Sequence, residues 1–197
     1  MIGIVDYGAG NLRSVLKAMD FIGAPVRIIS SAPQLEEVSR LILPGVGAFE
    51  AAMNRLGENG LIDPLRRWIA GDRPFLGICL GMQVLFEESD ESPGVSGLAV
   101  LPGKIRRFRS GKVPQVGWNR VAAREDQSLF GGIPANSYFY FLHGYYLETP
   151  EPVLAIGETD YGLRYPSAVR RGNICAVQFH PEKSAAAGLQ LLKNWAG

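Results

Sequence analysis

From Met1 to about Glu88 the chain alternates short β-branched apolar runs with stretches whose apolar residues recur at three and four, and that alternation constrains the fold more than any other feature. The runs Met1 to Asp6, Val26 to Ser30, Leu41 to Leu43 and Phe75 to Cys79 read as buried strands. Leu12 to Gly23 reads as a helix presenting Leu12, Val15, Leu16, Met19 and Ile22 on one face. Phe49 to Asn59, Leu61 to Gly71 and Leu80 to Glu88 read as further helices, with a weak helix around Pro33 to Val38. A parallel sheet covered on both faces is the arrangement that buries all these apolar surfaces.

From about Val100 the rhythm changes. Val100 to Phe108, Gln115 to Val121, Tyr138 to Glu148, Val153 to Glu158, Ser167 to Arg171 and Asn173 to Phe179 read as strands, closed by a helix from Ala185 to Trp195. With no internal repeat and no linker-like segment, residues 1–197 are expected to form one α/β domain: a central mixed, mostly parallel sheet with helices on both faces and a strand-rich second half.

Charge and composition narrow the function classes. Twenty basic against nineteen acidic residues leave a net charge of +1, so no bulk attraction to nucleic acid or an anionic membrane follows. The apolar stretch Pro74 to Phe86 is broken by Gly77, Gly81 and Gln83 and falls short of the roughly 18 residues that cross a bilayer. Met1 to Val5 has no basic leader character, so no secretory signal is expected. Two cysteines, Cys79 and Cys175, make no disulfide framework, and a reducing cytoplasm is the expected compartment.

Ligands of such sheets bind beyond the carboxyl ends of the strands, which selects the loops 6–11, 44–49, 79–81 and 180–183. Gly77-Ile78-Cys79-Leu80-Gly81, where a strand turns into a helix, is a thiol version of the nucleophile elbow. Its glycines allow strand and helix backbones to approach, and a helix amino end favours a thiolate. Taken as a bare cysteine, Cys79 would be a small core hydrophobe. His180 follows a strand on the same sheet edge, and Glu182 can turn back to accept its Nδ1–H, so nucleophile, base and orienting carboxylate are all present. Standing alone, His180-Pro181-Glu182 would be a surface turn. A zinc site finds no Cys-x-x-Cys spacing, and Cys175 and His180 lie an odd number of strand positions apart, so metal binding is set aside and Cys175 is read as core. Pro44-Gly45-Val46-Gly47-Ala48 leaves approachable backbone N–H groups, which suits an oxyanion hole or a plain tight turn, and lacks a phosphate-binding fingerprint. The basic run Lys104, Arg106, Arg107, Arg109 and Lys112 reads first as a charged strand edge, with docking of an acidic partner as its alternative.

Gly77-Ile78-Cys79-Leu80-Gly81-Met82-Gln83 and Gln178-Phe179-His180-Pro181-Glu182-Lys183-Ser184 resemble the nucleophile and His-Glu motifs of the class I, or triad-type, glutamine amidotransferases. The resemblance implies a Cys79 thioester with the side chain of glutamine, His180 as acid and base, Glu182 orienting it, and no cofactor. Asp6-Tyr7-Gly8-Ala9-Gly10-Asn11, the Pro44 to Phe49 segment, Val116-Gly117-Trp118-Asn119 and Tyr140-Phe141-Leu142-His143 further resemble the imidazole glycerol phosphate synthase branch of that family. By that resemblance Val46, Gly47 and Leu80 supply oxyanion donors, and Gly47, Gln83 and Tyr145 contact glutamine. Asn11, Trp118, Tyr140 and Lys183 face a partner, a (β/α)8-barrel cyclase that receives the ammonia in histidine biosynthesis. Gln115 stands where a His is usual, and Gly144 where Ser or Thr is usual. Three other readings stay open: a glutaminase serving pyridoxal phosphate, anthranilate or guanylate synthesis; a cysteine peptidase or γ-glutamyl hydrolase using the same three residues; and a non-enzymatic regulatory subunit of the same fold.

Overall fold

The computed structural model describes residues 1–8, 10–124 and 127–197; Ala9, within the Asp6 to Asn11 motif, lies outside them. In chain order the elements are β1 (Ile2–Val5), α1 (Leu12–Phe21), β2 (Val26–Ile29), β3 (Arg40–Gly45), α2 (Phe49–Glu58), α3 (Ile62–Ala70), β4 (Phe75–Cys79) and α4 (Leu80–Gln83). The second half adds β5 (Glu88–Ser89), β6 (Lys104–Arg107), β7 (Gln115–Arg120), β8 (Ala122–Ala123), β9 (Tyr138–His143) and β10 (Tyr145–Glu148). It ends with β11 (Ala155–Asp160), β12 (Arg164–Arg171), β13 (Ile174–Val177) and α5 (Ala185–Ala196).

Strands β1, β4 and β13 are buried at every position, so their side chains alternate between two covered faces rather than between core and water. On one face Val5, Leu41, Leu43 and Phe75 pack with Met53 and Leu56 of α2 and Leu65 and Trp68 of α3. On the other, Ile4, Ile42, Leu76 and Ile78 pack with Val15 and Met19 of α1 and Leu191 and Trp195 of α5. Each such side chain contributes about 1.5–3 kcal/mol by leaving water, which is what fixes the helices to their faces. The eight-stranded sheet has the order β2-β1-β3-β4-β13-β12-β11-β8. Its first five strands run parallel and the last three are added antiparallel.

Three expectations are corrected. The helix read from Leu80 to Glu88 ends at Gln83. Residues 80–86 are buried throughout, and the carbonyls of Val84, Leu85 and Phe86 are taken by the N–H groups of Leu98, Val100 and Ala99 rather than by a following helical turn. A single turn carries little macrodipole, so the helix charge expected beside Cys79 is largely missing. The strand read from Tyr138 to Glu148 is two strands in different sheets: β9 pairs with β7, and after Gly144 the chain passes into β10, which pairs with β6. The basic run does not lie at an edge as expected: β6 is the central strand of a three-stranded sheet, between β10 and β5. Lys104 lies 2.6 Å from Glu88, and Arg106 bonds Asp90 and Glu148, each at 3.0 Å.

Candidate active site

Strand β4 delivers Cys79 to the sheet edge at φ +54° and ψ −108°, a sharp turn that hands the chain directly to α4. Both flanking glycines are required by the backbone around them. A Cβ on Gly77 would stand 2.6 Å from the Gly81 carbonyl oxygen, and one on Gly81 would stand 1.8 Å from that of Leu43. Strand β13 is the parallel neighbour of β4, with Val177 opposite Ile78, so the next residues, Gln178 and Cys79, emerge side by side. His180 follows, held by its N–H to the Tyr140 carbonyl at 2.9 Å and by the Ser184 hydroxyl donating to its own carbonyl at 2.6 Å.

The turn over Pro181–Lys183 brings Glu182 back beneath the imidazole. Glu182 Oε1 lies 2.8 Å from His180 Nδ1, and both side chains are 1% exposed. The Asn11 amide donates to the same Oε1 at 3.0 Å. With Nδ1 committed to the carboxylate, Nε2 is the free ring nitrogen; it is buried and makes no well-aligned hydrogen bond. Burial alone would depress the His180 pKa, but the Cys79 sulfur and the Glu182 carboxylate outweigh it and raise it to about 10. An imidazole with a carboxylate on one nitrogen and a cysteine sulfur toward the other is an arrangement that can activate a thiol.

In front of the sulfur is a cleft of about 130 Å³ lined by Val46, Gly47, Cys79, Leu80, Gln83, Glu91 and the segment 142–145. Every residue expected to serve as oxyanion donor or glutamine contact therefore lines one cleft with Cys79. Gly47 has φ +111°, which frees its peptide units from the usual orientation. Leu80, first in its helix, has an N–H with no intrahelical acceptor. A roomier cleft of about 500 Å³, lined by Ile69, Leu101, Arg171 and Ile174, lies at the opposite, amino end of β13 and holds neither cysteine nor histidine.

Sequence reasoning missed three residues here. Glu91 lines the cleft and accepts the Phe49 N–H at 2.8 Å, yet it sits in an acidic run that nothing in the sequence distinguishes. Gln178 places its amide 3.7 Å from the Cys79 sulfur, a position legible only once β13 is set in register with β4. His143, buried beside the cleft, has Nδ1 2.6 Å from the Tyr145 carbonyl and Nε2 3.2 Å from the Tyr165 hydroxyl. Burial, against the helping Tyr145 carbonyl, lowers its pKa to about 4 and keeps it neutral.

Of the four residues expected to face a partner, three cluster at the rim. Trp118, 52% exposed, meets Tyr140 edge to face at 6.2 Å, and Lys183 Nζ sits 5.8 Å over the Tyr140 ring. Asn11 is only half-buried there but has its amide on Glu182. Strands β7 and β9 bring exposed Val116, Trp118, Tyr138 and Leu142 onto the same outer face.

The model of the family described as glutamine amidotransferase class-I matches residues 3–196. The imidazole glycerol phosphate synthase subunit HisH of Desulfitobacterium hafniense is 49% identical over 99% of this chain and 93% of its own length. The protein of the same name from Methanothermobacter thermautotrophicus is 49% identical over 99% and 97%. A crystal structure of a glutamine amidotransferase superposes with a TM-score of 0.79 at 22% identity, covering 100% of this chain and 99% of the other, a likeness of fold. The chain belongs to the class-I glutamine amidotransferase family.

Proposed function

We propose that the chain is the glutaminase subunit of an imidazole glycerol phosphate synthase, acting in the cytoplasm with a (β/α)8-barrel cyclase in histidine biosynthesis. It hydrolyses L-glutamine to glutamate and ammonia and passes the ammonia to the cyclase. The observation that carries this reading is the meeting of Cys79 and His180 at the ends of adjacent parallel strands, with Glu182 2.8 Å from Nδ1, in a chain 49% identical to synthase subunits.

In this reading the Cys79 thiolate attacks the side-chain amide carbon, and the oxyanion that forms is met by the Leu80 N–H and by a peptide N–H of the Val46–Gly47 loop. His180 gives its Nε2 proton to the amide nitrogen, the carbon–nitrogen bond breaks, and ammonia leaves a thioester behind. Water then attacks the thioester as His180 takes its proton; the carbon–sulfur bond breaks and the electron pair returns to sulfur. Glu182 holds the imidazole in the tautomer that presents Nε2. Gly47, Gln83 and Tyr145 border the bound glutamine, and the Glu91 carboxylate, anchored by the Phe49 N–H, meets its α-ammonium. Asn11, Trp118, Tyr140 and Lys183 lie on the side where the cyclase docks, and the exposed apolar face of β7 and β9 supports a partner there.

Glutamate release and product synthesis by the assembled complex test the reading. Cys79→Ala is expected to abolish glutamine-dependent synthesis while the ammonia-dependent reaction persists. Loss of both in a variant that still binds the cyclase, or glutamate release that survives the substitution, overturns it.

A further inference from the structure

We infer that Gln178 is a further catalytic residue: its side-chain amide donates a hydrogen bond to the Cys79 sulfur and steadies the thiolate from the side His180 leaves open. The inference rests on the reading of Cys79 and His180 as nucleophile and base. Gln178 is 1% exposed, and its Nε2 lies 3.7 Å from Sγ. Its Oε1 accepts from Gln83 Nε2 at 3.1 Å, and Gln83 is itself 4% exposed. A thiolate only accepts hydrogen bonds, so the amide nitrogen, not the oxygen, must face it. In that orientation Gln178 Oε1 is free to accept from Gln83 Nε2, so both buried amides have partners. Gln83 thus acts on the nucleophile through Gln178 as well as bordering the cleft.

The placement follows from the sheet. Parallel pairing ends at Val177 opposite Ile78, and one step further Gln178 stands beside Cys79. An amide suits this spot because it polarises toward the sulfur without adding a buried charge that would need desolvating. Gln178 is not among the residues lining the cleft, so it touches the reacting sulfur and not the substrate. When sulfur forms its bond to the amide carbon it loses its charge and the hydrogen bond weakens. When water cleaves the thioester, the carbon–sulfur electron pair returns to sulfur and Gln178 N–H again meets a full charge. Its help is therefore greatest in thioester breakdown.

The test is the pH profile of Cys79 alkylation by iodoacetamide in the full chain, read by peptide mass. Cys175 gives a separate signal, since burial pushes its thiol up to about 11. For Gln178→Met the profile is expected to move up by about one pH unit, with alkylation about tenfold slower on its rising limb. Turnover of glutamine by the complex is expected to fall by about the same factor, with no rise in KM. Gln83→Met is expected to move the profile less, in the same direction. If Gln178→Met fails to fold, the double substitution Gln83→Met with Gln178→Met removes the donor without stranding a buried partner, and the same shift is expected. An unmoved profile in a folded variant lacking Gln178 overturns the inference. His180→Gln is the reference: if it shifts the profile and loss of Gln178 does not, this inference alone fails, whereas if neither shifts it, the reading of the nucleophile and its base fails.

Discussion

Cys79 holds its sulfur out of the strand at a conformational cost. The values φ +54° and ψ −108° fall where L-residues pay about 1–3 kcal/mol and glycine does not. Cys79→Gly is therefore expected to be more stable than Cys79→Ala by about 1 kcal/mol in urea denaturation, although both lack the nucleophile. Equal stabilities would mean the backbone there is relaxed. The two histidines give opposite pH limbs. His180, raised to about 10 by the Cys79 sulfur and the Glu182 carboxylate, contributes stability that is lost at alkaline pH, as pH climbs toward 10. His143, lowered to about 4, must stay neutral; its stability is complete above 6.5 and declines as pH falls toward 4, by up to about 3 kcal/mol. Denaturation measured across pH is expected to show an acid limb below 6.5 from His143 and an alkaline limb toward 10 from His180. Cys79→Ala is expected to flatten the alkaline limb by removing the sulfur that raises His180, and His143→Gln to flatten the acid limb. Limbs unchanged by these substitutions would refute the assignment.

At the scale of elements, the alternating first half was legible because parallel strands such as β1 and β4 are apolar at every position and the helices between them repeat at three and four. The two glycines around Cys79 were legible for the same reason: a strand meeting a helix that closely leaves no room for a side chain. What stayed hidden depends on contacts distant in sequence. The stop of α4 at Gln83 is imposed by chain arriving from residues 98–100, and the break at Gly144 by β9 and β10 choosing different partners. Gln178 and Glu91 join the site through register and loop packing, which no local pattern encodes. The β7–β9 ribbon sets Val116 against Leu142 and Trp118 against Tyr140 with the apolar side chains outward, a face with little folding value to the chain alone. Trp118→Ala is accordingly expected to change the stability of the isolated chain by less than about 0.5 kcal/mol while weakening its binding to the cyclase by about 2 kcal/mol or more. Calorimetric titration with the cyclase checks this, and unchanged affinity would place the interface elsewhere.

Across the whole molecule, the rim proposed to face the cyclase and the proposed pair of Cys79 and His180 are joined by direct hydrogen bonds. His180 N–H is bonded to the carbonyl of Tyr140, whose ring packs against Trp118 and under Lys183. Asn11 bonds the carboxylate that orients His180. A partner pressing on this rim therefore bears on groups one bond away from the imidazole. If Cys79 and His180 act as proposed, nucleophile and base are already side by side in the lone chain, and what remains to be controlled is the oxyanion hole. The Val46–Gly47 peptide is the adaptable part: Gly47 holds φ +111° with open space where a Cβ would stand, and a peptide there can reorient with little resistance from neighbours. Losing one oxyanion donor costs about 3 kcal/mol, a factor of a hundred or more in rate. Turning one peptide is thus enough to keep glutamine from being hydrolysed when no acceptor waits for the ammonia. Glutamate release by the isolated chain is expected to be slow and to rise about a hundredfold when the cyclase is added with its nucleotide substrate bound. Gly47→Ala, strained at positive φ, is expected to shrink that ratio while leaving cyclase affinity within a few-fold. Equal release rates alone and in the loaded complex would mean that the oxyanion hole is preformed and that ammonia production is limited elsewhere.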